Sequence, residues 1–166
     1  MKNSILIVII VILIVIFFIP LVEQFTITNG KTNDMVFLDS TDKYDNFYIS
    51  FIHSVNRTPV HEYYRIEGNK FIVYKTTFYS YGAGMPDGSD NPNIDVKFNG
   101  SGLVEIDNLN RQLSEFTYLV GTYANHTLHA EKESFTLEKY IEPQEPALFK
   151  IKKVSIYDIL RRRLNE

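Results

Sequence analysis

The chain starts with an apolar segment that limits where the rest of it can fold. Fifteen consecutive residues, 5–19, carry no polar side chain, and the first acidic residue is Glu23. A hydrocarbon core about 30 Å thick takes roughly 17 to 25 apolar helical residues to cross, and residues 5–22 supply 18. The segment therefore predicts one transmembrane helix, within an N-terminal anchor of residues 1–23.

The flanking charges predict the orientation of this anchor. Lys2 and the N-terminal amine lie at one end and Glu23 at the other. Positive charge favours the cytoplasmic side, so residues 24–166 are expected to be extracytoplasmic, on a single-pass protein of the cell membrane. A cleaved signal peptide needs small residues at the cleavage site, whereas residues 21–24 are all large. A retained signal anchor is therefore predicted, and cleavage is the alternative.

Composition limits what residues 24–166 can be. They are enough for one domain with its own core, and the whole sequence has 12 Phe, 11 Tyr and no Cys. Aromatic packing rather than disulfides must therefore stabilise the domain. A net charge of -3 lacks the basic footprint of a nucleic-acid binder.

Positive charge is concentrated near the C-terminus, where residues 150–166 contain six Lys or Arg. On a tethered domain this basic tail is expected to meet anionic lipid headgroups. The alternative is a solvated, frayed terminus.

The segments after the anchor have the patterns of short β-strands. Residues 47–53 and 60–67 alternate between two faces, and residues 70–80 are rich in β-branched and aromatic side chains. Gly68-Asn69 separates the last two segments as a hairpin turn. We predict an all-β domain, a small antiparallel sandwich or barrel. Further strands are expected at residues 94–98, 103–106, 113–119, 134–137 and 148–157, and a short terminal helix at residues 158–165.

His53 and Glu62 are the first candidate pair for a site. Alternation places each of them on the more apolar face of its strand, and a register that pairs 53 with 62 would bring them about 4.5 to 5.5 Å apart. Such a contact would offset the cost of burying the carboxylate. The pair could brace the loop as a structural scaffold, bind a ligand, or act as the acid–base pair of a hydrolase. Ser54 is expected on the opposite face, which disfavours a dyad with His53.

The remaining polar segments give weaker signals. Gly82 and Gly84 permit a loop that cradles an anion or simply bends tightly. Residues 87–95 resemble a calcium loop, but Pro92 stands where that loop needs Gly. His126 and His129, with His61, give a weak zinc signal in a chain without Cys, and exposed loop histidines are the alternative. No metal and no cofactor is therefore predicted.

Two segments carry distinctive motifs: His53-Ser54-Val55-Asn56-Arg57-Thr58-Pro59-Val60-His61-Glu62 and Ser80-Tyr81-Gly82-Ala83-Gly84-Met85-Pro86. They resemble the H-S-V-x-x-T-P-V-x-E and S-Y-G-A-G-L-P motifs of a family of short bacterial membrane-anchored proteins classed as a domain of unknown function, with Met85 where Leu is usual. Members are often encoded beside TAXI-type TRAP transporters. The resemblance implies an extracytoplasmic accessory domain that binds a transporter component or a small solute, and it brings no established activity. It marks as signature positions His53, Ser54, Thr58, Pro59, Glu62, Tyr81, Gly82, Gly84 and Pro86.

Overall fold

The computed structural model describes residues 2–79, 93–131 and 133–164. This part of the chain is mostly β, with one helix at each end and two single-turn 3-10 helices, Thr41–Tyr44 and Leu137–Lys139. The helices are α1 (Lys2–Phe18) and α2 (Ile156–Arg163). The strands are β1 (Val22–Asn29), β2 (Met35–Ser40), β3 (Asn46–Ile52), β4 (Pro59–Glu67), β5 (Lys70–Phe78), β6 (Asp95–Phe98), β7 (Val104–Leu113), β8 (Glu115–Leu119), β9 (Thr127–Ala130), β10 (Glu133–Thr136) and β11 (Pro146–Val154).

The strands form two antiparallel sheets, so the prediction of an antiparallel β domain is confirmed. The first sheet has the order β2-β1-β11-β8, and the second has the order β10-β9-β3-β4-β5-β7-β6. Only Ser114 separates β7 from β8, so the chain passes from the second sheet to the first at this residue. We call the two sheets together the two-sheet domain.

A shared aromatic core joins the two sheets. Phe25 of β1 and Phe149 of β11 are fully buried together with Phe71 of β5. Phe25 lies 5.2 Å from the Phe47 ring of β3, and Phe116 of β8 stacks on Phe149 at 4.6 Å. Burying a large apolar side chain contributes about 1.5 to 3 kcal/mol. This core is how the cysteine-free chain is stabilised.

The N-terminal helix is shorter than the apolar segment that predicts it. α1 has 17 residues and ends at Phe18, two residues before Pro20, which cannot donate a helical hydrogen bond. Val22 already pairs with Val154 of β11. The predicted 18-residue span is therefore divided between α1, a short connection and the first residue of β1. Across residues 2–79, 93–131 and 133–164, no helix combines the length and the apolarity needed to cross a membrane.

The β3–β4 hairpin forms, but the predicted register is wrong. Ile49, not His53, lies opposite Glu62. The His53 N–H donates to the Thr58 carbonyl at 2.9 Å, and Arg57, at φ 53°, donates back to the His53 carbonyl. This pair closes the hairpin and shifts the pairing by four residues. An even shift keeps every side chain on its predicted face, so Glu62 still points toward the core while His53 lies beyond the end of β3.

Candidate functional site

Glu62 lies between the two sheets, where two tyrosines hold it. Tyr64 follows it by two residues on β4 and therefore shares its face, and Tyr118 faces both from β8 in the other sheet. The Tyr64 hydroxyl donates to Glu62 Oε2 at 2.9 Å, and the Tyr118 hydroxyl donates to the same oxygen. The two phenol oxygens are 2.8 Å apart. The carboxylate is thus a polar link between the sheets.

Burial extends to higher pH the range in which both phenols stay protonated. It raises the pKa of Tyr64 well above its usual value, and the charge of Glu62 adds to the effect. Burial also raises the pKa of Tyr118, reinforced by Tyr64 and Glu62. The Tyr64 ring is stacked on Phe47 at 5.0 Å and on Phe116 at 4.6 Å. Both hydroxyls are therefore fixed as hydrogen-bond donors to Glu62.

His126 extends this arrangement toward the end of the domain. Its ring stacks on Phe51 at 5.3 Å and lies 5.2 Å from Tyr118. The side chain is only 6 % exposed, and burial lowers the pKa of its imidazole to about 4. His126 is therefore neutral at pH 7, and its buried Nδ1 has no hydrogen-bond partner among the described residues. A buried polar atom of this kind is rare. We call Glu62, Tyr64, Tyr118 and His126 the Glu62 cluster.

Two connections place His126 beside the β3–β4 hairpin at one end of the two-sheet domain. β3 ends at Ile52 and β4 begins at Pro59, while His126 directly precedes β9. The Ile52 N–H donates to the Ala124 carbonyl at 2.7 Å, which ties the segment before β9 to the β3–β4 hairpin. Thr58, in the same hairpin, also has a buried hydroxyl without a partner in the described part of the chain. Unsatisfied polar atoms thus occur on both connections.

The signature positions have different roles in this geometry. The His53 Nδ1 accepts hydrogen bonds from the N–H groups of Val55 and Asn56, each at 3.2 Å, so this side chain organises the turn. Ser54 is exposed in that turn, and Pro59 lies opposite Ile52 at the start of β4. Of the first motif, Glu62 alone belongs to the Glu62 cluster. The signature positions that lie outside the described residues are Tyr81, Gly82, Gly84 and Pro86.

Sequence reasoning did not identify the partners of Glu62. Tyr64 could have been found, because its position two residues after Glu62 puts both on one face. Tyr118 is 56 residues away and has no local signal that points to β4. The expectation of an exposed loop histidine is wrong for His126, which is buried. The structure instead places the His126 ring on Phe51 and Tyr118.

A second group of polar side chains lies on the opposite face of β3 and β4. His129 Nε2 is 2.8 Å from the Ser50 hydroxyl, and His129 stacks on Tyr48 at 4.4 Å. His61 Nδ1 is 3.3 Å from the Thr77 hydroxyl. Burial lowers the pKa of both histidines. The described residues contain no group of three or more His, Cys, Asp or Glu side chains placed to hold a metal.

The comparisons with known proteins identify a family without an assigned activity. A family model described as a domain of unknown function (DUF1850) matches residues 47–137, which contain the whole Glu62 cluster. No curated protein and no solved structure matches the chain. The predicted resemblance is confirmed as far as a family of unknown function. Because the match covers more than half of the 166 residues, the chain belongs to the DUF1850 family.

Proposed function

We propose that this protein is an extracytoplasmic binding domain that α1 tethers to the cell membrane, and that it serves a TRAP-type transporter. The observation that supports the membrane tether is the exposure of the apolar side chains of α1. Each side chain from Ile5 to Ile16 is 40–61 % exposed. The largest apolar patch on a soluble monomer is typically a few hundred Å², and a helix that is apolar on every side exceeds that. Such a surface requires an apolar environment.

Lipid suits this helix better than a protein groove. A groove takes one stripe of an amphipathic helix and leaves the other face polar, whereas residues 5–18 have no polar face. A helix of this length is about 25 Å long, so the bilayer would thin locally or residues 19–21 would enter it as well. With Lys2 on the cytoplasmic side, the two-sheet domain lies on the extracytoplasmic side.

The Glu62 cluster supports binding as the role of the domain. Both phenols donate to Glu62 Oε2, so the described residues provide no hydrogen bond to Oε1. The ring of His126, whose buried Nδ1 has no partner among the described residues, lies 5.2 Å from that of Tyr118. These atoms suit a polar ligand or the polar side chain of a partner. The resemblance of the two motifs supports the choice of a TRAP-type transporter component or its solute.

The alternatives to binding for Glu62 are a hydrolase and a purely structural role. The hydrolase alternative needs His53 beside Glu62, and the observed register separates them. A purely structural role is favoured by one specific observation, because Glu62 and Tyr118 link the two sheets directly. Stability and transport must therefore be measured together to separate binding from scaffolding.

Labelling of single cysteines tests the tether and its orientation. The natural chain has no Cys, so Tyr123→Cys, at a position that is 89 % exposed, and Asn3→Cys give two unique probes. In intact spheroplasts a membrane-impermeant maleimide should label Tyr123→Cys and not Asn3→Cys. The protein should also stay in the membrane fraction after carbonate extraction. Recovery in the soluble fraction, or the reverse labelling pattern, would overturn the proposal.

Pull-down and uptake measurements test the partner. The tagged full-length protein should retain a TRAP transporter subunit from solubilised membranes, and a deletion strain should lose uptake of the transported solute. Glu62→Gln should reduce uptake beyond what any loss of folded protein explains. If no transporter subunit is retained and the deletion strain shows wild-type uptake, the transporter role is wrong.

A further inference from the structure

We propose that α2 and the end of β11 form a docking surface for anionic lipid headgroups. This inference rests on the proposed tether, and it names the lipid chemistry that the tethered domain recognises. Here the headgroup surface consists of Lys153 on β11, Ile156, Leu160 and Arg161 on α2, and Leu164 just after this helix.

The two terminal helices leave the two-sheet domain at the same place. β1 begins just after α1 and β11 ends just before α2, and Val22 lies opposite Val154 in the pairing of these strands. The Leu21 N–H donates to the Val154 carbonyl at 3.1 Å. Consequently α2 begins where the chain emerges from α1. If α1 lies in the bilayer, α2 lies at its surface.

Direct contacts fix α2 in this position. The Tyr157 ring is 5.2 Å from Phe18 and 6.2 Å from Phe17. The first turn of α2 is held by a capping box, in which the Ser155 hydroxyl accepts from the Asp158 N–H at 3.1 Å and the Asp158 carboxylate accepts from the Ser155 N–H at 3.1 Å. The helix start is therefore stable even though α2 is short.

The exposed side of α2 combines apolar and basic side chains. Ile156, Leu160 and Leu164 are spaced by four residues and form one stripe, and they are 39 %, 45 % and 86 % exposed. Arg161 and Lys153 are exposed as well. An apolar stripe with adjacent Lys or Arg is the composition of a helix that lies in the headgroup region. Long basic side chains place their charge at the phosphates while their stems cover apolar surface.

The local charge balance favours anionic rather than zwitterionic lipid. Residues 152–164 contain five Lys or Arg and one acidic residue, Asp158, which is engaged in the capping box. On the neighbouring strand β1, the acidic residue Glu23 lies opposite Lys153 of β11. The Arg162 Nη2 donates to the Val36 carbonyl at 2.6 Å, so the charge of Arg162 is held against the domain. Each basic residue near an anionic surface strengthens binding about fivefold.

A single fluorophore can report docking of α2 separately from insertion of α1. The chain has no Trp, so Leu164→Trp places the sole Trp on the exposed stripe. The full-length protein is reconstituted with vesicles of phosphatidylcholine alone or with about 30 % phosphatidylglycerol. Flotation reports the tether, and a blue shift of Trp emission reports docking of α2. We expect flotation with both vesicles, and a blue shift only with the anionic vesicles that disappears near 0.5 M salt.

Matched charge variants complete the test. In the Leu164→Trp background, Lys153→Gln with Arg161→Gln should weaken the docking equilibrium about 25-fold at low salt. The control pair Lys70→Gln with Lys139→Gln removes two exposed charges outside the headgroup surface. It should change the docking equilibrium less than twofold. An equal blue shift on both vesicles, or no shift while the chain floats, overturns the lipid inference and leaves the tether intact. Failure to float with either vesicle overturns the tether itself. A shift produced instead by a purified transporter subunit in detergent would assign the surface to a protein partner.

Discussion

Acidification should destabilise the two-sheet domain through His126. The imidazole is almost fully buried between Phe51 and Tyr118, and burial lowers its pKa from 6.5 to about 4. Between these two values the unfolded chain binds a proton that the folded chain excludes. The free energy of unfolding is therefore fully retained above about pH 6.5 and falls as the pH drops toward 4.

The size of the effect follows from the pKa difference. Each unit of pKa shift corresponds to about 1.4 kcal/mol, so the loss reaches about 2 kcal/mol at pH 5 and about 3 kcal/mol near pH 4. A small domain has only about 5 to 15 kcal/mol in total. For a domain of this size a loss of 2 kcal/mol lowers the melting temperature by about 4 to 8 °C. His61 and His129, whose pKa values are also lowered by burial, act in the same direction.

Urea unfolding of the wild type and of His126→Phe, at about pH 7 and about pH 5, isolates the contribution of this residue. Phenylalanine keeps a ring between Phe51 and Tyr118 and has no proton to gain. The wild type should lose about 2 kcal/mol more than the variant over this interval. The control Tyr123→Phe changes a side chain that is 89 % exposed and should behave as the wild type. Losses that agree within about 0.5 kcal/mol for the wild type and His126→Phe would refute the reasoning.

Three further predictions concern the Glu62 cluster and one turn. Tyr118→Phe should lower the free energy of unfolding by about 1.5 to 3 kcal/mol, and its effect should be non-additive with that of Glu62→Gln, because both changes break the same hydrogen bond to a charged group. Above about pH 10 the domain should lose stability, since the raised pKa values of Tyr64 and Tyr118 make the folded chain hold protons that the unfolded chain releases. Gly30→Ala should lower the free energy of unfolding by about 1 to 3 kcal/mol, because a Cβ there would lie 2.9 Å from a side-chain carbon of Pro146 on β11. Gly100→Ala is the control, because a Cβ at that position meets no atom within 4 Å.

Each of these predictions has a direct measurement. Urea unfolding of the single variants and the double variant tests the cycle, and additivity within about 0.3 to 0.5 kcal/mol would show that Tyr118 and Glu62 are independent. Tyrosinate absorbance recorded with far-UV circular dichroism tests the alkaline transition, and ionisation of every tyrosine in the folded state would contradict it. Equal melting temperatures for Gly30→Ala and Gly100→Ala would contradict the predicted clash.

The parts of the fold that were predictable are those with local signals. Strands β3 and β4 follow the alternation in the sequence, and β5 follows its β-branched and aromatic composition. Gly68, at φ 60°, begins the predicted turn between β4 and β5. β10, β11 and α2 also lie within a few residues of their predicted positions. Turn residues and side-chain alternation are properties of a few adjacent residues, so a single sequence reveals them.

Strand β1 was missed although Phe25 and Ile27 alternate with Thr26 and Thr28 in the sequence. Phe25 and Ile27 are fully buried, and so is Thr26 between them, whose hydroxyl donates to the Lys150 carbonyl. The strand lies between β2 and β11, and its first residue continues the apolar segment of the predicted anchor. The short strands β2 and β9 were also missed. β9 pairs with the distant strand β3 and with β10 across a turn that has no Gly. β2 pairs with β1 across a turn that does contain a glycine, Gly30, so a local signal was present and was not used.

Alternation also explains why the predicted faces were correct and the register was wrong. Alternation determines which face a side chain is on, but registers that differ by an even number of residues all keep that face. Which residues lie opposite each other therefore depends on how the loop closes. The chain closes at His53 and Thr58, with the His53 ring accepting two hydrogen bonds from the turn. The predicted partner of Glu62 was therefore replaced by Tyr64, a neighbour on the same strand face, and by Tyr118, which only the tertiary fold brings near.

A combined variant separates binding from scaffolding at Glu62. Replacing a buried, hydrogen-bonded polar group together with all its partners by apolar residues is often neutral or stabilising. The variant Glu62→Leu with Tyr64→Phe and Tyr118→Phe removes the carboxylate and both phenols that meet it while keeping the aromatic rings. Its free energy of unfolding should lie within about 1 to 2 kcal/mol of the wild type. If Glu62 serves binding, the folded variant will lose solute uptake. A variant that folds, reaches the membrane and supports wild-type uptake would assign Glu62 to the scaffold alone.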